Sequence, residues 1–418
     1  MILDTWKAKI NSIVFKNYLY LLMIQGANFI LPLITIPYLV RTIGTHKFGI
    51  VMVAQSLALF LTIVTDFGFN ISATREVAMI KNNKESLSQF FFNVIFIKTI
   101  LLICSFLVLL SLTIFVEKFN QESLVYLLSF GIVFGQVLFP SWFFQGIEKM
   151  KMITLINVLA KLIFTVSVFL VIKNQDDYYF VPLFYGLGFL LSGALGFIFS
   201  LKYIQYKKPI VIESIQIAKE SFSLFLSNLA VSLYTNMNTF IIGVFVSDSL
   251  AGVYSSMEKL IVATKSIYTP LYQAMFPNLS IKGKHKIKET IEYMKYYVGG
   301  LGIIISLVII LFAKDILEII YKDDLITSYY SIFQILGLIG FLSSLNMLYV
   351  SLFFPAVKAF NDRLKILSFA GLFNVFMVLL LIQFYTIYGV AISATISEFF
   401  ILILAIYFYK KHVKKELL

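Results

Sequence analysis

The sequence contains few of the side chains that form catalytic or metal sites. Among 418 residues there are one cysteine, Cys104, and three histidines. A single thiol excludes an intrachain disulfide, and His46, His285 and His412 lack the spacing of metal ligands. The sequence also has neither a Gly-x-Ser-x-Gly nucleophile elbow nor a Gly-rich phosphate loop that ends in Gly-Lys. We therefore expect no metal, no bound cofactor and no enzyme active site.

Charge is also scarce, because only 13% of the residues are charged whereas 60% are hydrophobic, with a mean hydropathy of +0.90. A soluble protein of this size could not bury so much apolar surface. The net charge of +12 is therefore not that of a soluble nucleic-acid-binding domain. It fits lysines that hold loops on one side of a bilayer. The composition predicts an all-α polytopic membrane protein with no nucleic-acid partner.

Twelve apolar segments near or above about 20 residues are long enough to cross a bilayer as helices rather than as barrel strands. Their predicted bounds are 17–40, 48–74, 89–116, 123–144, 152–172, 179–201, 219–246, 250–275, 295–313, 328–354, 365–385 and 388–409. Of the 34 lysines and arginines, 24 lie in one alternate set of connections and six in the other. This asymmetry predicts that both termini are cytoplasmic.

The lysine-rich connection 202–218 divides these helices six and six. We predict an N-terminal lobe at 1–201 and a C-terminal lobe at 219–418 that ends in a short basic tail. GTHKFGIVMVAQSL and SDSLAGVYSSMEKL open corresponding helices in the two halves, and aligning Gly49 with Gly252 places Gln55 on Glu258. Six helices in each half predict a repeat axis along the membrane normal and a central cleft.

Four lysines fall inside predicted spans: Lys98, Lys161, Lys259 and Lys265. A lysine that faces lipid at mid-depth costs about 2.5–3.5 kcal/mol on insertion scales. We therefore expect these side chains to line the cleft, where they would bind an anionic group such as a diphosphate. The alternative is that they snorkel or pair internally. The cleft is favoured for Lys98 and Lys161, whereas both interpretations stay open for Lys259 and Lys265.

Three carboxylates inside the spans, Asp66, Glu258 and Glu398, are candidates for ion coupling. A carboxyl group in apolar surroundings can change its protonation state during a transport cycle. By depth alone, Glu398 is the best of the three. A salt bridge from Glu398 to a lysine of a neighbouring helix explains it equally well, and Asp66 also suits the inner end of its own helix.

Three segments are similar, in order and spacing, to a known family: PYLVRTIGTHKFGIVMVAQS, DFGFNISATREVA and PSWFFQGIEKMK. They resemble the polysaccharide-transporter family, in particular O-antigen flippases of the Wzx type. The resemblance implies the MATE-like fold of the multidrug/oligosaccharidyl-lipid/polysaccharide exporters, with two six-helix lobes around a cationic lumen. The additional two helices usual in peptidoglycan-precursor flippases are not seen.

The same resemblance implies a function. An undecaprenyl-diphosphate-linked oligosaccharide would pass from the cytoplasmic to the periplasmic leaflet of a bacterial inner membrane, coupled to H⁺ or Na⁺. Candidate partners are this lipid-linked substrate, the lipid bilayer, and a polymerase with a chain-length regulator of the same pathway.

Two other functions stay open. A multidrug/cation antiporter of the same fold predicts a cleft dominated by carboxylates and aromatic rings rather than lysines. A membrane enzyme of polysaccharide assembly needs a catalytic aqueous loop, which the short external connections do not provide.

The aromatic residues Trp142, Phe143 and Phe144 are expected at the level of the lipid headgroups, where such rings anchor helices.

Overall fold

The computed structural model describes residues 13–269, 272, 275, 279 and 284–414. Residues 1–12 and 415–418 lie outside this range. The predicted cytoplasmic location of the two termini therefore concerns residues that are not described. Part of the predicted span 250–275 lies outside this range as well.

The described chain is helical almost throughout, and it contains no β-strand. Its α-helices are α1 Ile13–Asp66, α2 Phe69–Ile80, α3 Lys84–Phe115, α4 Glu117–Gln121, α5 Ser123–Leu138, α6 Ser141–Gly146, α7 Met150–Val171, α8 Phe180–Ser200, α9 Val211–Phe245, α10 Asp248–Ser266, α11 Lys284–Leu311, α12 Ala313–Tyr321, α13 Asp324–Ser328, α14 Tyr330–Asn346, α15 Phe354–Ala356 and α16 Phe360–Lys414. A 3₁₀-helix, Gln175–Tyr179, precedes α8, and a π-helix, Met347–Phe353, follows α14.

Eight helical stretches in the described part are long and apolar enough to cross a membrane by length and composition. Two of them are too long for a single crossing, Leu31–Ile80 with 50 residues and Phe360–Val413 with 54. Each contains a residue with non-helical backbone angles, Gly44 (φ 77°) and Thr386 (φ 50°). Both breaks fall between predicted spans. The observed helices are therefore consistent with the predicted twelve.

By their internal contacts, the residues form two compact units. The first unit contains Ala54–Leu229 together with the start of α1 up to Leu31, and the second unit contains Pro32–Val53 and Ala230–Leu418. The predicted lobes 1–201 and 219–418 and the connection 202–218 stay a prediction. Helices α1 and α9 each contribute residues to both units.

The first unit is built around buried aromatic rings. Trp142, Phe143 and Phe144 are all fully buried, and Phe91 packs against Trp142 and Phe143 with ring centroids 5.5 and 5.1 Å apart. These rings therefore pack inside the protein and do not contact lipid headgroups as anchors, whereas their depth at the headgroup level stays a prediction. The hydrophobic effect places them in the core because α6 turns the whole segment towards α2 and α3.

The helix predicted at 48–74 is interrupted after Asp66. Phe67 has φ 49° and Gly68 has φ 81°, so two consecutive residues adopt the left-handed conformation. A phenylalanine in this conformation is uncommon and strained. Its ring is held by a stacked contact with Phe225 at 4.5 Å. A Cβ atom at position 68 would lie 2.9 Å from the backbone nitrogen of Phe225, which explains the glycine.

The internal repeat is visible in the backbone where each half re-enters a long helix. In the first half the N–H of Lys149 donates to the carbonyl of Phe144 at 2.8 Å, across Glu148, which has φ 62°. In the second half the N–H of Ala359 donates to Phe354 at 2.8 Å, across Lys358, which has φ 59°. This is the Schellman geometry, which usually carries glycine at the left-handed position. The two halves thus share a local backbone structure that is not evident from their amino-acid sequences.

We expect Lys358→Gly to raise the free energy of unfolding by about 1 kcal/mol, because glycine removes the strain of a left-handed Cβ. The side chain is exposed, so little contact is lost. The thermal midpoint of purified protein in detergent measures the effect. A lower midpoint for Lys358→Gly than for the wild type would show that the lysine side chain stabilises this turn.

The aligned glycines of the repeat meet in the second unit. A Cβ on Gly49 would lie 1.8 Å from the carbonyl oxygen of Asp248, and a Cβ on Gly252 would lie 2.3 Å from that of Thr45. Each glycine therefore faces the residue four positions before its partner, and the contact is reciprocal. Small residues at such crossings let helices in membranes approach closely. The repeat inferred from sequence thus forms a symmetric helix crossing between α1 and α10.

The same part of α1 is also held by Arg41. Its guanidinium group donates to the carbonyls of Ile319 (3.1 Å) and Tyr321 (3.2 Å) and also to that of Ile320. These are the last carbonyls of α12, which lack partners within that helix. A cation at a helix C-terminus is also favoured by the helix dipole. Arg41 therefore ties residues 32–53 to the rest of the second unit.

Candidate functional site

The first unit contains a buried ion pair. Lys98 lies near the middle of α3 and is 3% exposed. Its Nζ atom lies 3.9 Å from Oδ1 of Asp66, the last residue of α1. The same Nζ donates to the backbone carbonyl of Gln136 in α5 at 3.4 Å. Two of the predicted site residues, one from each class, are thus brought together.

The Lys98 ammonium is held loosely by these two partners. An ammonium group has three donors, and direct N–H···O bonds span about 2.7–3.2 Å. The two acceptors found near Lys98 among the described residues, at 3.9 and 3.4 Å, lie beyond that range. A buried charge without close partners is costly, so an anion that approached within hydrogen-bonding distance would be bound strongly. Internal pairing, the alternative to a cleft-facing lysine, is the arrangement observed, and a role for Lys98 in binding an anionic group stays a prediction.

Asp66 is positioned by the backbone break that follows it. Its Oδ2 atom accepts a weak hydrogen bond from the N–H of Asn70 at 3.4 Å, across the left-handed residues Phe67 and Gly68. Oδ1 of Asn70 in turn accepts from Ser141 at 3.0 Å. Thus the second and third of the segments that carry the family resemblance meet in this unit. They support the carboxylate that faces Lys98.

The other predicted residues lie in α7 and in α10, where Glu258 interacts electrostatically with Lys259 and Lys265. Lys161 is half-buried in α7. Glu258 and Lys259 are half-buried neighbours in α10, and Oε2 of Glu258 accepts from the hydroxyl of Thr239 at 3.3 Å. Roles for these residues in binding or coupling stay predictions.

The second unit contains another ion pair, between the half-buried Lys265 of α10 and the buried Glu398 of α16. The Glu398 side chain is 10% exposed and that of Lys265 is 29% exposed. Asn346 donates through Nδ2 to Oε2 of Glu398 at 2.6 Å and to its backbone carbonyl at 2.9 Å. The salt bridge to a neighbouring helix, left open from sequence, is the arrangement observed.

Asn346 is a member of this site that sequence reasoning did not single out. It is the last residue of α14 before the π-helix Met347–Phe353, and π-helical turns are frequent at functional sites. Its Oδ1 atom is buried and has no hydrogen-bond partner in the described part of the chain. A buried amide oxygen without a partner costs about 1–3 kcal/mol. The signal in the sequence was an asparagine inside an apolar run, one of several.

The described residues contain no group of three or more His, Cys, Asp and Glu side chains that could hold a metal ion. Ion pairs between helices therefore make up the chemistry of both sites. In the first unit the ammonium of Lys98 is loosely held by the carboxylate of Asp66. In the second unit the carboxylate of Glu398 is shared by the ammonium of Lys265 and the amide of Asn346.

Comparison with known proteins extends these observations. Residues 14–282 match the family described as "Polysaccharide biosynthesis protein". The chain is 27% identical over 410 residues to a putative O-antigen transporter of Escherichia coli (strain K12). This alignment covers 95% of this chain and 97% of that protein. The transporter name of this relative supports the prediction that the chain is not an enzyme.

Two solved structures show the fold. The lipid II flippase MurJ in its inward closed conformation matches with a TM-score of 0.76 at 14% identity, over 96% of this chain and 88% of that one. A MATE family multidrug transporter in its inward-facing conformation matches with a TM-score of 0.66 at 14% identity, over 90% and 92%. The predicted MATE-like fold and the predicted resemblance are thereby confirmed. The chain is a multi-pass membrane protein that belongs to the polysaccharide biosynthesis protein family.

Proposed function

We propose that the protein is a flippase for an undecaprenyl-diphosphate-linked oligosaccharide, such as an O-antigen repeat unit. It would move this lipid by alternating access from the cytoplasmic to the periplasmic leaflet of a bacterial inner membrane, with both termini in the cytoplasm. Family membership and the name of the E. coli relative support a polysaccharide-related substrate. The observation that carries the proposal is the buried, loosely coordinated ammonium of Lys98.

A diphosphate supplies what the Lys98 ammonium lacks. Its oxygens are strong charge-assisted acceptors, and such bonds are about twice as strong as neutral ones. When the diphosphate binds, it would replace Asp66 as the nearest anion and release that carboxylate. Lys161, at a similar predicted depth in the same half, is the second candidate for the phosphate oxygens. The prenyl tail would stay in lipid.

Glu398 is our candidate for ion coupling. If H⁺ or Na⁺ neutralises the carboxylate, Lys265 loses its ion-pair partner in α16, and among the described residues its ammonium keeps only the more distant interaction with Glu258. Asn346 keeps the carboxylate in place through Nδ2 in either state. Exchange of the coupling ion would thus switch the second unit between a paired and an anion-accepting lysine. Glu258 and Asp66 are the alternative coupling residues.

We expect Glu398→Gln to separate binding from coupling. Glutamine fills the same volume and can still pair with Asn346, but it cannot form the ion pair or change charge. Transport should become independent of the H⁺ or Na⁺ gradient and should fall by at least about tenfold, the effect of about 1.4 kcal/mol. The rate in vesicles with and without each gradient measures this. An unchanged gradient dependence would remove Glu398 from the coupling role.

A cation antiporter of the same fold is the other candidate. The carboxylate of Glu398 favours it, because such proteins need an acidic site. The two functions differ in their requirement for Lys98, since a cation is repelled by an ammonium and a diphosphate is attracted by it.

Deletion of the gene in its host tests the flippase directly. The proposal expects loss of surface polysaccharide and accumulation of the lipid-linked oligosaccharide in the membrane, both reversed by a plasmid copy. Partner proteins, for which we propose a polymerase and a chain-length regulator, would be found by crosslinking in the same strain. Normal polysaccharide after deletion would contradict the proposal.

A further inference from the structure

The first unit contains a groove at the lysine-rich end of α2, α3 and α9. Its volume is about 960 Å³, within the range of about 300–1,000 Å³ that small-molecule sites occupy. It lies between the end of α2, the first turns of α3 and the first turns of α9. None of the residues predicted as site residues lines it. The groove is therefore separate from the Lys98–Asp66 pair, although both belong to the same unit.

The lining of the groove combines carboxylates, amides and an aromatic ring. These are Glu76, Glu85, Glu213, Glu220, Gln89, Asn93, Gln216, Phe90, and the hydroxyls of Ser72, Ser86 and Ser221. Carboxylate oxygens accept two hydrogen bonds side by side, and amides both donate and accept. This is the set of groups that adjacent hydroxyls of a sugar require. Phe90 supplies an apolar surface, and its ring meets that of Trp142 edge-on at 6.2 Å.

Some of the polar groups of the groove are hydrogen-bonded to one another or to the backbone. Asn93 is 1% exposed, and its Nδ2 donates to Oε2 of Glu213 at 2.8 Å while its Oδ1 accepts from the N–H of Ile210 at 2.9 Å. Gln216 donates to Oε1 of Glu220 at 2.8 Å. A buried side chain fixed in this way, such as Asn93, loses little conformational entropy on binding. The bonds from Asn93 also fasten the first turn of α9 to α3, which keeps the groove in shape.

The charge of the groove excludes a phosphate. Four glutamates line it against two lysines, Lys207 and Lys219, and Lys207 is paired with Glu85 at 2.7 Å. The groove is thus acidic, although it lies at the end of the helices where the connections are rich in lysine. An anionic diphosphate is repelled there, whereas neutral hydroxyls and protonated amino groups are accepted. This polarity is opposite to that of Lys98.

We propose that this groove binds the saccharide part of the transported lipid through its hydroxyl or amino groups, while the diphosphate binds elsewhere. The inference rests on the proposed function for the identity of the ligand. It adds that the sugar and the diphosphate are recognised at two places in the first unit, one acidic and one basic. Glu76 and Glu220 are the residues on which sugar binding depends, and Asn93 is a positioning residue.

Equilibrium binding of a soluble sugar tests the groove. The probe is the oligosaccharide released by mild acid from the host's lipid-linked intermediates, radiolabelled, added to the full-length protein in lipid nanodiscs. We expect saturable binding that weakens by about tenfold or more in Glu76→Gln/Glu220→Gln. The matched control, Glu117→Gln at an exposed position of α4, keeps wild-type binding. Inorganic pyrophosphate does not compete.

Transport by the same wild-type protein separates the two proposals. If the wild type moves the lipid-linked oligosaccharide between leaflets but the soluble sugar does not bind, the groove is not the saccharide site. The proposed flippase function is then retained. Equal binding by wild type and the double variant, or competition by pyrophosphate, also overturns the groove. Sugar binding that is lost in the double variant but kept in Lys98→Met supports two separate places. If the wild type binds the sugar but fails to transport the lipid, the proposed function falls and the groove stands as a saccharide site.

Discussion

Replacing Lys98 by methionine is expected to abolish export of polysaccharide while the protein remains folded in the membrane. Methionine keeps the length and apolar stem of lysine but removes the only group in the Lys98–Asp66 pair that attracts a diphosphate. Loss of a charge-assisted hydrogen bond of about 1.5–3 kcal/mol corresponds to about 10- to 150-fold in rate, before any second phosphate contact is counted. Surface polysaccharide in a complemented deletion strain, with immunoblots of the membrane fraction, measures both quantities.

The matching variants separate a binding lysine from one that only holds helices together. Asp66→Asn leaves a buried ammonium without its counter-ion and is expected to destabilise the first unit. The double variant Lys98→Met/Asp66→Asn removes both charges, so stability should return. Export should not return, because no cation is left for the diphosphate. Recovery of export in the double variant would assign Lys98 a purely structural role.

Replacing Gly49 by alanine is expected to have the largest effect on folding. The new Cβ would lie 1.8 Å from the carbonyl oxygen of Asp248, and a backbone atom cannot move away by changing rotamer. Overpacking a close contact costs typically about 1–3 kcal/mol, and here the helices themselves must separate. Gly252→Ala should behave alike, because its Cβ would lie 2.3 Å from the carbonyl of Thr45.

Gly300→Ala is the matched control, because a Cβ at this helical position meets nothing within 4 Å. Alanine there is expected to be neutral or to stabilise by up to about 1 kcal/mol. The yield of folded protein and the thermal midpoint in detergent compare the three variants. Wild-type midpoints for Gly49→Ala and Gly252→Ala would show that this crossing is not a close helix contact.

Much of the fold could be predicted from the sequence because apolar length is a direct physical requirement of a bilayer. The spans and the breaks near Gly44 and Thr386 follow from hydropathy alone. The turn geometry at Glu148 and Lys358 could not be predicted, because neither is glycine, the residue that usually marks a left-handed position. Nor could the break after Asp66, where Phe67 is held in a strained conformation by Phe225, which is distant in sequence.

The candidate sites were predicted only as a set of polar residues in apolar surroundings. Depth along a helix singled out Lys98 and Glu398, but depth does not reveal which helices face each other. The pairing of Lys98 with Asp66 and of Lys265 with Glu398 depends on contacts between distant segments. Trp142 shows the same limit in reverse. Aromatic rings at a helix end favour an interfacial location, yet contacts with Phe91 place this ring in the core.

The most direct test is a leaflet assay in sealed vesicles that contain the purified protein and a fluorescent undecaprenyl-diphosphate-linked oligosaccharide. A membrane-impermeant glycosidase added outside removes the sugar only from the outer leaflet. The flippase account predicts that wild-type protein makes the inner pool accessible in the presence of an ion gradient, and that Lys98→Met leaves it protected. Protection of the inner pool by wild-type vesicles, equal to that in protein-free vesicles, would contradict the account.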